Sequence, residues 1–206
     1  MARARPDGPV ERPATARNGG SRLRIIAGSR RGHTIAAPKG LTTRPTGDRV
    51  REAAFNLIGP VDGAAVIDLF AGSGAMGLEA LSRGAARCVF VEQDEAACRT
   101  ILANLEQLRL TGAIVLRQDA RRALVDEVAA GRRYDLVLVD PPYETFPVHE
   151  ALLETQLPAL LAEDGLAVVE TAARVQPRLT RLHERTSRRY GAARLTLFEH
   201  PAEGPA

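Results

Sequence analysis

The sequence predicts a doubly wound α/β fold: a mostly parallel sheet with helices on both faces, preceded by an N-terminal β-hairpin and helix. Three observations predict it. Aliphatic runs such as "AAVIDLFA", "RCVFVEQD" and "YDLVLVD" recur between amphipathic stretches. They are nearly continuous in apolar residues instead of alternating, as strands are when a parallel sheet buries both of their faces. The first run passes straight into a glycine-rich turn that opens a helix, and 206 residues suffice for one domain with a substantial core and an appendage.

Residues 1–21, "MARARPDGPVERPATARNGGS", carry too few apolar side chains to offset the entropy of ordering, so a disordered basic tail is expected. Residues 22–60 read as an extension. "LRIIAG" and "HTIAAP" are β-like runs joined by "SRRG", a hairpin with a basic tip. In "LTTRPTGDRVREAAFNLIG", Thr46 or Asp48 can cap a helix. Val50, Ala53, Ala54, Leu57 and Ile58 fall at helical spacing, and Gly59 and Pro60 stop it.

Residues 61–206 form the main domain. "AAVIDLFA" is its first strand and "AMGLEALSRG" a helix ending at Gly84. "RCVFVEQD" is the second strand, followed by a helix over 95–109. "AIVLRQD" is the third, with a helix running through Ala130. "YDLVLVD" is the fourth, with a helix over 147–162. "LAVVET" is the fifth, and "ARLTLFEH" a late strand.

Charge is unevenly spread. The net +3 conceals 12 Lys+Arg against 3 Asp+Glu in residues 1–51, and 16 against 22 in residues 52–206. A second basic cluster runs from Arg174 to Arg194, and Arg174, Arg178, Arg181 and Arg185 share one face if that segment is helical. Two basic patches on an acidic body point to a polyanionic partner. The two cysteines, Cys88 and Cys98, lack metal-ligand spacing and are expected to be core thiols in a reducing compartment. No apolar leader or membrane-length run is present, so a cytoplasmic protein is expected. His33, His149, His183 and His200 are scattered and receive no chemistry; no metal is indicated.

In a doubly wound sheet, ligands bind beyond the carboxyl ends of the strands near the switch point. There the first strand ends in "DLFAGSGAMG", with Gly72, Gly74 and Gly77 in G-x-G-x-x-G spacing. Glu92 ends the second strand, where a carboxylate can accept from both ribose hydroxyls, and Asp119 ends the third, beside an adenine. The glycine spacing alone fits a nicotinamide dinucleotide as well as other nucleoside cofactors. Asp68 before the loop suits an ammonium group better than a pyrophosphate, and no second nucleotide half follows. Both details favour S-adenosylmethionine.

The fourth strand ends in Asp140-Pro141-Pro142-Tyr143, on the same edge. This stretch resembles the (D/N)-P-P-(Y/F) signature of enzymes that modify planar exocyclic nitrogens, and an amino group on an aromatic base is a poor nucleophile because its lone pair is delocalised. A carboxylate at Asp140 and the carbonyl of Pro141 can each accept one N–H and turn the lone pair outward. Prolines offer no N–H and fix their own φ, which leaves a rigid pocket rich in acceptors. Tyr143 can stack on a flipped-out base.

The pattern "DLFAGSGAMG…VFVEQD" resembles class I methyltransferases, the class to which the enzymes with that (D/N)-P-P-(Y/F) signature belong. From about Arg24 to the last strand, "RIIAGSRRGHTIAAPKGLTTRPTGDRVREAAFNLI" included, the chain resembles the bacterial RsmD family, which methylates guanine N2 in 16S ribosomal RNA. Gly47 stands where that family more usually has threonine, and Tyr143 where it often has phenylalanine.

The resemblance implies a seven-stranded, Rossmann-like sheet and S-adenosylmethionine as cofactor. By it Gly72 and Gly74 would bracket the methionine part, Glu92 hold the ribose and Asp119 the adenine edge; Asp68, Phe70, Ser73, Gln93 and Ala120 would belong to the same cofactor site, with the segment around Thr46 and Arg49 closing over it. Arg30, Arg31 and Arg44 would approach RNA phosphates. A monomer acting on ribosomal RNA, within the assembled small subunit, is expected. Other amino-methyltransferases, acting on transfer RNA or on adenine N6 of DNA, and a non-catalytic RNA-binding module are the competing readings.

Overall fold

The structure, a computed structural model, describes residues 23–38 and 47–202. The expectations for the 1–21 tail, Arg44 and Thr46 fall outside the described residues. After the N-terminal hairpin come α1 (Gly47–Ile58), β1 (Ala65–Asp68), α2 (Ala75–Ser82), β2 (Arg87–Glu92), α3 (Glu95–Leu108) and β3 (Ala113–Arg117). Then follow α4 (Ala120–Ala129), β4 (Tyr134–Val139), α5 (Phe146–Leu160), β5 (Leu161–Ala172), β6 (His183–Tyr190) and β7 (Ala193–Glu199). The sheet has seven strands in the order β3-β2-β1-β4-β5-β7-β6. The first five are parallel and β7 and β6 antiparallel.

The aliphatic runs become strands because alternate side chains have a helix layer to enter on either face. Val66, Phe90, Leu136, Leu138 and Val168 pack on one side with Leu78 and Leu105, and with Phe55 of α1. Ile67, Val89, Val137, Val139 and Val169 pack on the other with Leu124 of α4 and Leu153 and Leu157 of α5. The strand order reverses between β1 and β4, and this switch point is where the carboxyl ends of two neighbouring strands diverge into separate loops. No described helix is long and apolar enough to cross a membrane.

The N-terminal hairpin is less regular than expected. Its arms meet through a single antiparallel bridge, Arg24 to Thr34, with Ile25 and Ile35 donating to the carbonyls of His33 and Leu23 (both 2.9 Å), and its tip is a 3-10 turn over Gly28–Arg30. Side chains of the main domain hold it in place. Glu79 of α2 is fully buried and accepts from the backbone N–H groups of Ile26 (2.8 Å) and Ala27 (2.9 Å). Ser82 accepts from Arg30 N–H (3.0 Å) and donates to the Ala27 carbonyl (2.7 Å). Asn104 of α3 bonds both the N–H (2.8 Å) and the carbonyl (3.0 Å) of Ala36.

Two expectations are corrected. Residues 173–182 are not helical, so Arg174, Arg178, Arg181 and Arg185 share no helical face; the first three lie in a connection and Arg185 in β6. The strand β6, "HERTSRRY", was absent from the elements read off the sequence. It is an edge strand with no buried residue, so it lacks the apolar signature that marks the other strands.

Candidate active site

At the carboxyl end of β1 the chain is held from both flanking strands. The N–H of Leu69 donates to Leu138 of β4 (3.0 Å), and that of Ala71 to Val91 of β2 (3.0 Å). Gly74 turns left-handed (φ 80°) as the residue that opens α2, a conformation that favours glycine. Gly77 is needed for a different reason: a Cβ there would lie 2.3 Å from the Phe90 ring and 2.7 Å from the Cys88 sulfur, so only glycine lets α2 sit this close to β2.

Asp68 is 2% exposed, and its carboxylate turns under this loop. It accepts from Gly77 N–H at 3.1 Å and from the Phe70 backbone. Burial raises its pKa from 3.8 to about 7, with the charge of Glu92 adding to the rise against the lowering by those two hydrogen bonds. Asp68, which the sequence suggests as a partner for an ammonium group, also braces the loop from beneath.

Glu92 ends β2 on the open side of the loop. One carboxylate oxygen accepts from Gly72 N–H and the other from Asp94 N–H, both at 2.8 Å. Each oxygen keeps a further lone pair, so the carboxylate is fixed in aim and still able to accept from hydroxyls. A Cβ on Gly72 would meet nothing within 4 Å, which makes this side an open cradle. Gln93 is exposed beside it. Asp119 caps α4, accepting from Arg121 and Arg122 N–H (3.1 Å each), and Ala120 opens that helix. Ser73 sits in the loop with its carbonyl bound by Asn104 (3.2 Å). These residues fit a nucleoside carrying an amino-acid chain: paired acceptors for a ribose, a backbone cradle, and an acid with a small residue beyond it.

Asp140 follows β4, and the register Asp68 to Leu138 sets it beside the glycine loop across the switch point. Asp140 is exposed and Pro141 buried. The Pro142 carbonyl is occupied by Thr145, which donates from both its N–H and its hydroxyl (2.9 Å each). The Pro141 carbonyl carries no hydrogen bond among the described residues. Tyr143 donates its hydroxyl to Glu170 of β5 (3.0 Å), which fixes the ring at the mouth of the site. The two halves of the constellation therefore stand on neighbouring strands at the same end of the sheet.

Other expected residues are placed differently. Arg49 is exposed and lines a cleft of about 400 Å³ with Arg24, Arg31, Asp48 and Glu52, between α1 and the hairpin. Arg30 directs its guanidinium to the C-terminal carbonyls of α3, Leu108 and Arg109 (the latter at 3.3 Å), so it helps hold the hairpin down.

The sequence reading missed Glu170, Asn104 and His149. Glu170 was detectable, since it is another acid near the carboxyl end of a strand. Asn104 gave no signal, being one polar residue on a helix. His149 of α5 meets Phe70 edge-on at 5.0 Å, and its Nδ1 is buried with no hydrogen-bond partner among the described residues. Burial, and then the charge of Arg121, hold it below the usual histidine pKa.

A doubly wound seven-stranded sheet, a glycine loop at the switch point and an acid ending β2 define the class I methyltransferase fold. Residues 23–199 match a family described as Conserved hypothetical protein 95. The Bacillus subtilis protein YlbH is 43% identical over 150 residues, 72% of this chain and 82% of its own. The Escherichia coli protein named Ribosomal RNA small subunit methyltransferase D is 38% identical over 155 residues, covering 75% and 77%. The solved structure of Escherichia coli yhhF superposes with a TM-score of 0.75 at 34% identity, covering 89% of this chain and all of that one. The chain belongs to the ribosomal RNA small subunit methyltransferase D family, RsmD.

Proposed function

We propose that the protein transfers a methyl group from S-adenosylmethionine to the exocyclic N2 of a guanine in small-subunit ribosomal RNA, with the assembled subunit as its substrate. The observation that carries this reading is the juxtaposition of Asp140-Pro141-Pro142-Tyr143 with the glycine loop, on neighbouring strands at the switch point.

Bound over the glycine loop, S-adenosylmethionine supplies an electrophilic sulfonium methyl. Glu92 takes the ribose, with Gln93 beside it, and Asp119 and Ala120 border the base. Phe70, Gly72, Ser73 and Gly74 form the floor. Tyr143, steadied by Glu170, stacks on the guanine, and base–aromatic stacking is worth about 1–3 kcal/mol. Asp140 and the Pro141 carbonyl each accept one N–H of the amino group. Held this way, the nitrogen lone pair would be turned out of conjugation and aimed at the methyl group, whose C–S bond would break as the N–C bond formed. Positioning supplies most of the acceleration. The surplus proton leaves past Asp140, which faces solvent. Arg31 and Arg49, on the exposed rim of the hairpin cleft, suit RNA phosphates.

The test is methyl transfer from labelled S-adenosylmethionine to unmodified small ribosomal subunits, deproteinised ribosomal RNA, transfer RNA and duplex DNA, with nucleosides resolved by mass. N2-methylguanosine confined to the subunit lane, and lost in Asp140→Ala, is expected. Label in transfer RNA or DNA would overturn the substrate. No label despite cofactor binding would favour a non-catalytic RNA-binding role.

A further inference from the structure

The antiparallel pair at the sheet edge carries a charge arrangement that the fold alone does not need. Arg194 of β7 is only 6% exposed, and its guanidinium donates to the Ala173 carbonyl (3.3 Å), the Gln176 side-chain oxygen (3.3 Å) and the Ser187 hydroxyl (2.7 Å). All three acceptors are neutral, and among the described residues no carboxylate pairs with it. Directly across the ladder lies Arg189. Arg174 and Arg189 are exposed near it, whereas Arg188, paired with Leu195, projects from the opposite face of the sheet. The acids nearby are otherwise engaged. Glu184 accepts from Gln176 (3.0 Å), Glu199 lies 3.8 Å from Arg185 at the far end of β6, and Glu170 holds Tyr143.

Like charges directly opposite in a ladder are destabilising, and a buried cation served only by neutral groups costs free energy. Both costs fall if an anion lies across this corner. Its position gives that anion a use. Register pairs Thr171 with Arg194 and Ala172 with Ala193, so the β6–β7 turn sits at the carboxyl end of β5, on the edge of the sheet that holds Asp140 and Tyr143. In the order β4-β5-β7-β6, it stands three inter-strand spacings from the strand bearing Asp140, about 14 Å.

We propose that Arg174 and Arg189, grouped about the buried Arg194, form a phosphate platform for the RNA backbone flanking the target nucleotide. The platform is separate from the N-terminal hairpin and rests on the reading of the protein as an RNA methyltransferase.

The test compares the full-length protein with two double variants, Arg174→Gln/Arg189→Gln and the corresponding Lys set. Affinity for unmodified small subunits is measured against salt, beside steady-state methyl transfer and thermal melting. The Gln set is expected to raise KM for the subunit at least tenfold, with kcat at saturation and cofactor affinity unchanged. The slope of log affinity against log salt should shrink by about 1.5, as for two phosphate contacts at about 0.7–0.9 each. Its melting temperature should not fall, because a like-charge pair has been removed. The Lys set should keep KM and slope near wild type. An unchanged KM and slope in the Gln set overturns the platform. If wild type modifies transfer RNA instead, the ribosomal reading fails, and the same slopes on transfer RNA decide the platform independently. A slope change seen only with duplex DNA overturns RNA as the occupant.

Discussion

Tyr143 offers two separable groups, a ring that can stack on a base and a hydroxyl bound to Glu170. Removing the ring in Tyr143→Ala is expected to cost about 1–3 kcal/mol of RNA binding, read as a rise in KM. Tyr143→Phe keeps the ring and loses only its tether, so it should sit much nearer wild type, and Glu170→Gln should resemble it. Equal losses in all three, measured by steady-state kinetics, would mean that the hydroxyl and not the ring is what matters. Asp68 makes a different prediction, about pH. Its pKa stands at about 7 instead of 3.8, chiefly because burial disfavours the charge. Between those values the native state holds a proton that the unfolded chain has released. Stability from this group is therefore fully present below about pH 3.8 and is lost as pH rises through about 7. Asp68→Asn keeps an acceptor for Gly77 N–H and never charges. It should melt above wild type at pH 8, by about 2–4 °C for each kcal/mol in a chain of this size. That advantage should vanish near pH 4, and a pH-independent difference in a melting series would refute the assignment.

At the scale of elements, the hairpin depends on one carboxylate. Glu79 is fully buried between two backbone N–H groups, Arg83 (2.8 Å) and the buried Arg51 (3.6 Å). Glu79→Ala leaves the N–H groups of Ile26 and Ala27 unpaired and the buried Arg51 with Asp48 (2.9 Å) as its one remaining carboxylate partner among the described residues, and should cost about 3–5 kcal/mol. The urea midpoint should drop, and cleavage should open at the hairpin in limited proteolysis; Glu79→Gln should be milder. A protected hairpin in Glu79→Ala would show that Ser82 and Asn104 suffice. None of this was legible in the sequence, where Glu79 looks like an ordinary polar position in "AMGLEALSRG". The parallel strands were legible because each is an apolar run closed by a turn, and β1, β2 and β4 bury nearly every residue of theirs. The glycine loop, Glu92 and Asp140 were legible for a related reason, since their chemistry needs those residue types at strand ends. Residues defined by partners far along the chain were not. Asn104 joins Ala36 to Ser73, and β6 exists only because β7 offers it a ladder.

For the molecule as a whole, the sequence divides naturally at residue 60, but the core does not. Ile25, Ile35, Val50 and Phe55 belong to the same buried cluster as Val66, Leu78, Leu138 and Leu197. Burying each of those four large side chains contributes about 1.5–3 kcal/mol, and together they rival the whole net stability of a domain, about 5–15 kcal/mol. Hence a chain that begins at Val61 should not hold the fold, although every strand of the sheet lies within it. Full-length protein should unfold in urea as one transition, with backbone circular dichroism and tyrosine signals coincident. A fragment of residues 61–206 should lack cooperative melting and bind a dye for exposed apolar surface. If it melted cooperatively near the full-length midpoint, the extension would be an accessory to a self-sufficient domain. Failure of the fragment would mean that the hairpin and α1 complete the core on which the glycine loop rests. The cleft lined by Arg31 and Arg49 would then be carried by the same cooperative unit as the crevice of Asp140, and ordering one would order the other.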